Sequence, residues 1–125
     1  MSVHLCTADG RDLKVNAWNW GTLHELVERA GWFDEDTWAP LRYNGGVELD
    51  AAATARLAEL LATEVLPRMR PGERALLDGS ITDVPDDGTF YRGEDELWKN
   101  YSLDHDVLVA IIEFLRAAGG PVSVQ

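Results

Sequence analysis

The sequence predicts an α+β domain: a small antiparallel sheet, made of an N-terminal hairpin plus a C-terminal strand, packed against two long and one or two short helices. Three observations predict it. Val3 and Leu5, then Leu13 and Val15, alternate with polar residues on either side of Asp9-Gly10, a pair that favours a hairpin turn because both residues tolerate positive φ. Apolar residues recur at helical spacing over Ala53–Val65 and again over Leu108–Leu115. Finally, Pro121-Val122-Ser123-Val124 follows a double glycine and reads as a short terminal strand. With 125 residues, 46% of them apolar, the chain can bury one core without disulfide staples, so residues 1–125 are read as one domain.

Each element has its own justification. The hairpin's alternation leaves one apolar face that something must cover. After Trp18, Asn19 or Thr22 is expected to cap a helix, since their side-chain oxygens accept free first-turn amides. Leu23, Leu26, Val27 and Ala30 form its stripe, and Gly31 suits a left-handed stop. Asp34 or Asp36 starts a short helix that carries Trp38, and Asn44-Gly45-Gly46 breaks the chain. Asp50 caps the clearest helix, which runs to about Leu66 with Ala53, Leu57, Leu60, Leu61 and Val65 on one face. Pro67 and Pro71-Gly72 close it, and Glu73–Leu77 is expected to add one helical turn. Residues 78–101 are irregular. Ser102 or Asp104 then caps a last helix with Leu108, Ile111, Ile112 and Leu115 inward.

Charge is the strongest functional signal. The formal net charge is −11, and a surface that negative repels phosphate backbones and anionic membranes. Residues 78–106 hold nine carboxylates against Arg92 and Lys99, so this quarter of the chain carries about two-thirds of the excess. Phe90, Tyr91, Trp98 and Tyr101 are interleaved with them. Carboxylates around aromatic anchors suit a basic protein partner: complementary charge speeds encounter, and desolvated rings supply binding energy. The expected partner-binding residues are Asp83, Asp86, Asp87, Glu94, Asp95, Glu96, Trp98 and Tyr101. The chain then reads as a non-enzymatic binding module.

A second reading comes from five tryptophans. Trp18, Trp20, Trp32 and Trp38 would line the pocket of a small enzyme or ligand-binding domain. Against it stands the ordinary use of indoles as core plugs between sheet and helices.

Other chemistries find little support. Asp83, Asp87, Gly88 and Glu94 overlay positions 1, 5, 6 and 12 of a calcium loop, but Pro85 at position 3 brings no side-chain oxygen. One cysteine and the scattered His4, His24 and His105 have no zinc-ligand spacing. Cys6, within a strand, reads as a small buried hydrophobe. His24 reads as one half of an ordinary surface pair with Glu28. His105, between Asp104 and Asp106, reads as a helix-start residue. No nucleophile-elbow, zinc-protease, P-loop or dinucleotide motif occurs. No catalytic residue, metal or cofactor is expected.

Cys6 is the only cysteine, so no intrachain disulfide can form. The opening residues carry no basic region or long apolar run, and the longest apolar stretch, Val107–Ile112, is far too short to span a bilayer. These features predict a cytoplasmic protein.

The layout resembles an uncharacterised group of small acidic bacterial proteins. The resemblance is carried by Val15-Asn16-Ala17-Trp18-Asn19-Trp20 after the hairpin and by Ala30-Gly31-Trp32. It continues in the alanine-rich helix from Asp50, and in Glu113-Phe114-Leu115-Arg116 before Gly119-Gly120 and the final strand. It implies a bacterial cytoplasmic setting. In size, acidity and cysteine content the chain is also similar to immunity proteins of bacterial toxin systems.

Overall fold

The computed structural model describes residues 2–33, 35–42, 47–84 and 91–125. Strands β1 (Ser2–Thr7) and β2 (Asp12–Asn16) form the expected hairpin. Its turn is braced by Asp9, whose carboxylate accepts from the Thr7 hydroxyl and the Arg11 guanidinium. Those two hydrogen bonds hold the Asp9 carboxyl down at about 2.

Helix α1 (Ala17–Ala30) follows β2 directly. Its cap is Asn16, one turn earlier than expected: the Asn16 side-chain oxygen accepts from the Asn19 amide at 2.8 Å and from the Asn19 carboxamide at 2.9 Å. The strand ends at Asn16 with extended backbone, the geometry a cap needs, while Asn19 and Thr22 already lie inside the helix. Gly31 ends α1 at φ 68°, as its left-handed freedom predicts.

The short helix α2 (Glu35–Trp38) runs into a tight turn at Ala39–Arg42. Strand β3 (Val47–Leu49), which sequence pattern did not reveal, leads into α3 (Ala51–Leu60). Asp50 caps α3 by accepting from the Ala53 amide at 2.7 Å. Beyond Leu60 the helix widens over Leu61–Val65, where the Leu66 amide reaches back five residues to the Leu61 carbonyl, and then tightens over Leu66–Arg68. Pro67 explains the change, because it has no amide proton for the carbonyl four residues back.

Glu73–Leu77 corrects an expectation: it contains a strand, β4 (Arg74–Leu76), in place of a helical turn. Asp78-Gly79 then acts as Asp9-Gly10 does and turns the chain into β5 (Ile81–Thr82). Ser102, expected as a cap, lies within β6 (Ser102–Asp104), and Asp104 occupies the cap position of α4 (His105–Ala118). The final strand is β7 (Val122–Val124).

Two antiparallel sheets result, with orders β2-β1-β7-β3 and β5-β4-β6. The terminal strand therefore sits between β1 and β3. Register aligns Leu13, Leu5, Val124 and Val47 across all four strands of the larger sheet, which makes one apolar row facing the helices. The core joins Val3, Leu5 and Val15 to Leu23 and Val27 of α1, Leu57 and Leu61 of the α3 segment, and Leu108, Ile111 and Leu115 of α4. In the smaller sheet the pair Ala75 and Leu103 is buried. Arg11 ties the hairpin turn to the far end of α4, donating to the Ala117 and Ala118 carbonyls at 2.8 and 3.2 Å. Those carbonyls have no helical partner, and the guanidinium also suits the negative end of the helix dipole.

Helix α1 touches both sheets. Asn19 through His24 are buried without interruption, and then Val27. Gly21 permits this: a Cβ there would stand 3.0 Å from the Tyr101 ring. Replacing a mid-helix glycine by alanine normally stabilises a helix by about 1 kcal/mol. Here Gly21→Ala is expected to destabilise the protein by about 1 kcal/mol through overpacking. In a Tyr101→Leu background the sign should reverse, which urea denaturation of wild type, the two single variants and the double variant would measure.

Candidate functional site

Asp83 and Tyr101, the described ends of the acidic segment, adjoin different strands of the smaller sheet. Asp83 lies exposed just past β5, whereas Tyr101 enters β6. Both strands pair antiparallel with β4, so they run parallel to each other at opposite edges of the smaller sheet. The registers place Asp83 near the level of Glu73 and Tyr101 near the level of Leu77. The two thus leave the sheet at opposite edges and opposite ends, roughly 15 Å apart by strand spacing and rise. Asp86 and Asp87, together with Phe90 and the middle of the calcium-like stretch, lie outside the described residues.

Glu94, Asp95, Glu96, Trp98 and Tyr101 stay together in one loop, Tyr91–Tyr101. Asn100 builds it. Its carboxamide oxygen accepts from the Tyr91 amide and its carboxamide nitrogen donates to the Tyr91 carbonyl, both at 2.8 Å. This reciprocal pair imitates one rung of a sheet and closes the loop at its neck. Above the neck, turns end in a tight helical segment, Leu97–Asn100. The Trp98 indole donates to the Asp95 carbonyl at 3.1 Å, which fixes the ring although it is 38% exposed. Glu94 and Asp95 are exposed and Glu96 is half-buried. Lys99 reaches Glu96 at 3.3 Å and sits over the Tyr91 and Trp98 rings.

Tyr101 seats the loop on the core. Its half-buried ring lies against Gly21 and meets the Trp18 ring edge-on, with centroids 4.9 Å apart. Trp18 is 39% exposed, so it extends the aromatic surface of the loop across the start of α1. The sequence groups Trp18 with Trp20, Trp32 and Trp38. Yet Trp18 and Trp20 are two positions apart on a helix and must face different ways.

The remaining indoles are chiefly core. Trp20 and Trp38 are each 1% exposed, with centroids 6.4 Å apart, and Trp32 is half-buried against the same core. The Trp20 N–H donates to the Leu41 carbonyl at 2.7 Å, and the Trp38 N–H donates to the His24 carbonyl at 3.0 Å. Trp38 is overlaid by the His24 and Phe33 rings, near parallel at 4.9 and 5.2 Å. A depression beside it is lined by Glu28, Phe33, Glu35 and Ala39; Trp18 and Trp20 do not reach it.

His24 is a second correction. Expected on the surface, it is fully buried. The signal was available: His24 follows Trp20 by four positions and precedes Val27 by three, so it belongs on their face. Its Nε2–H donates to the Trp38 carbonyl at 2.7 Å. Its Nδ1 has no hydrogen-bond partner among the described residues and lies 3.5 Å from the Glu28 carboxylate. Burial pushes the imidazole below its ordinary 6.5, against the opposing pull of the Trp38 carbonyl hydrogen bond and of Glu28 and Glu25. Arg42 adds to the lowering.

Cys6 also departs from expectation. It is half-buried, and its register partners Asp12 and Ser123 place it on the polar face of the larger sheet, opposite Leu5. His105 opens α4 as expected, its amide donating to the Glu73 carbonyl at 3.1 Å. Among the described residues, no three His, Cys, Asp or Glu side chains converge as metal ligands. No described helix is long and apolar enough to cross a membrane.

Comparison with known proteins returns no matching family model, no matching curated protein and no matching solved structure.

Two outcomes are expected. Because folded His24 holds a proton more weakly than the unfolded chain does, stability is full above pH 6.5 and falls as pH drops below it. The slope from this one group is at most about 1.4 kcal/mol per pH unit. Thermal denaturation between pH 7.5 and 5 should show that loss in wild type and a flatter profile in His24→Gln, measured at about those pH values. Separately, Asn100→Ala removes both bonds at the loop neck and should cost about 1–2 kcal/mol. Hydrogen exchange should then accelerate across residues 91–101 while the α4 amides stay protected.

Proposed function

We propose that this chain is a non-enzymatic protein-binding module, of the immunity or regulatory type, that engages a basic protein through the Tyr91–Tyr101 loop. The observation that carries the reading is that one clasped loop holds exposed carboxylates and an exposed, hydrogen-bonded indole side by side. Glu94, Asp95 and Glu96 supply attraction at a distance. Trp98, with Trp18 beside Tyr101, supplies apolar area that water leaves on contact. The Asn100 clasp lowers the ordering cost of binding, because the loop need not be organised by the partner.

The composition supports the same reading, since a net charge of −11 favours cationic partners over nucleic acid. The bacterial setting and the immunity role rest on the resemblance in size, acidity and layout.

The test is a titration with an arginine- and lysine-rich peptide at two salt concentrations. Neutralising the loop with Glu94→Gln, Asp95→Asn and Glu96→Gln should weaken binding about tenfold and reduce its salt dependence. The control neutralises Glu35, Asp36 and Glu48, exposed carboxylates elsewhere, and should change affinity less than about twofold. Trp98→Ala should weaken binding with little change in salt dependence. Equal losses in loop and control variants would show that net charge alone is responsible and would remove the loop from the proposal.

A further inference from the structure

We infer that the niche between Tyr91, Trp98 and Glu96 is a binding site for one cationic side chain of the partner, and that Lys99 holds this site in the free protein. The inference rests on the docking role proposed above and names what the loop recognises.

The geometry is that of a small cation site. The Lys99 ammonium stands 5.4 Å from the Tyr91 ring centroid and 6.0 Å from that of Trp98, within the range where a ring face attracts a cation. The Glu96 carboxylate completes the surroundings at 3.3 Å. These groups are not all sequence neighbours: Tyr91 comes from the opposite arm of the loop and is brought across by the Asn100 clasp. The loop thus assembles two aromatic faces and an acid around an ammonium.

The occupant is replaceable. The Lys99 and Glu96 side chains are 40% and 46% exposed, so solvent and a partner reach both. Among the described residues, Lys99 is held by attraction to the rings and by an exposed ion pair with Glu96, which together are weak. A lysine or arginine from a partner meets the same rings and acid, with Glu94 and Asp95 exposed close by in the chain to draw it in. In the free loop Lys99 occupies the space between the rings and the acid until such a side chain displaces it.

The experiment is calorimetric titration of an oligolysine peptide at fixed ionic strength into wild type, Lys99→Ala, Arg92→Ala and the double variant Lys99→Ala/Tyr91→Ala. Circular dichroism confirms that each is folded. Arg92 is an exposed cation of the same loop and controls for the loss of one local positive charge. Lys99→Ala should tighten binding about three- to fivefold, Arg92→Ala less than about twofold, and the double variant should lose the gain. If wild type binds the peptide and Lys99→Ala gains no more than Arg92→Ala, the niche is not the site, while the docking role stands. If the double variant keeps the full gain, the rings are not what receives the cation and the inference falls. If no variant binds, the docking role fails and this inference with it.

Discussion

The fold depends on the burial of the stretch Asn19–His24 of α1. Six consecutive residues, Asn19 to His24, are enclosed, a degree of burial that a helix lying on one sheet does not reach. It arises because α1 stands between the hairpin sheet and the smaller sheet. Asn19 is the polar link: its carboxamide nitrogen donates to Asn16 and its oxygen accepts from the Asp104 amide at 2.9 Å. Thus one side chain joins the helix start to strand β6. Gly21 makes the matching steric allowance on the Tyr101 side.

The candidate binding surface is a consequence of that arrangement. Tyr101 has one face committed to α1, so the loop before it is anchored at its C-terminal end. Asn100 closes the neck against Tyr91, so the residues between are held at both ends of the loop. The carboxylates and Trp98 are therefore displayed. Exposure of an indole is normally unfavourable, and here it follows from an anchor on one side and a clasp on the other. Burial and display are two results of the same packing.

On a neighbouring face of α1, α2 is held by a pair of crossed hydrogen bonds between His24 and Trp38, each ring donating to the other's backbone carbonyl. This exchange lets a short helix, with little stability of its own, serve as a lid on the core. It also buries a titratable ring. That burial lowers the proton affinity of His24, so protonation in acid works against the packing of this flank.

Residue order alone determined the hairpin at Asp9-Gly10, the capped helix from Asp50, the apolar stripe of the last helix, the glycine stops at Gly31 and Gly119, and the concentration of acid before α4. These are local or periodic features, written in neighbours a few positions apart. The terminal strand was recognisable, but its place between β1 and β3 was not, because pairing partners lie far away in the chain. The smaller sheet is not legible in the sequence for a further reason: β4 to β6 are two or three residues long, too short to show alternation. Helix spacing separates Trp18 from Trp20 and puts His24 on the Trp20 face, but only the tertiary structure decided which face is enclosed, that Asp83 and Tyr101 leave the smaller sheet at opposite edges, and that Asn100 gathers Tyr91, Trp98 and Lys99. Those outcomes depend on which surfaces meet, and a one-dimensional pattern does not carry that information.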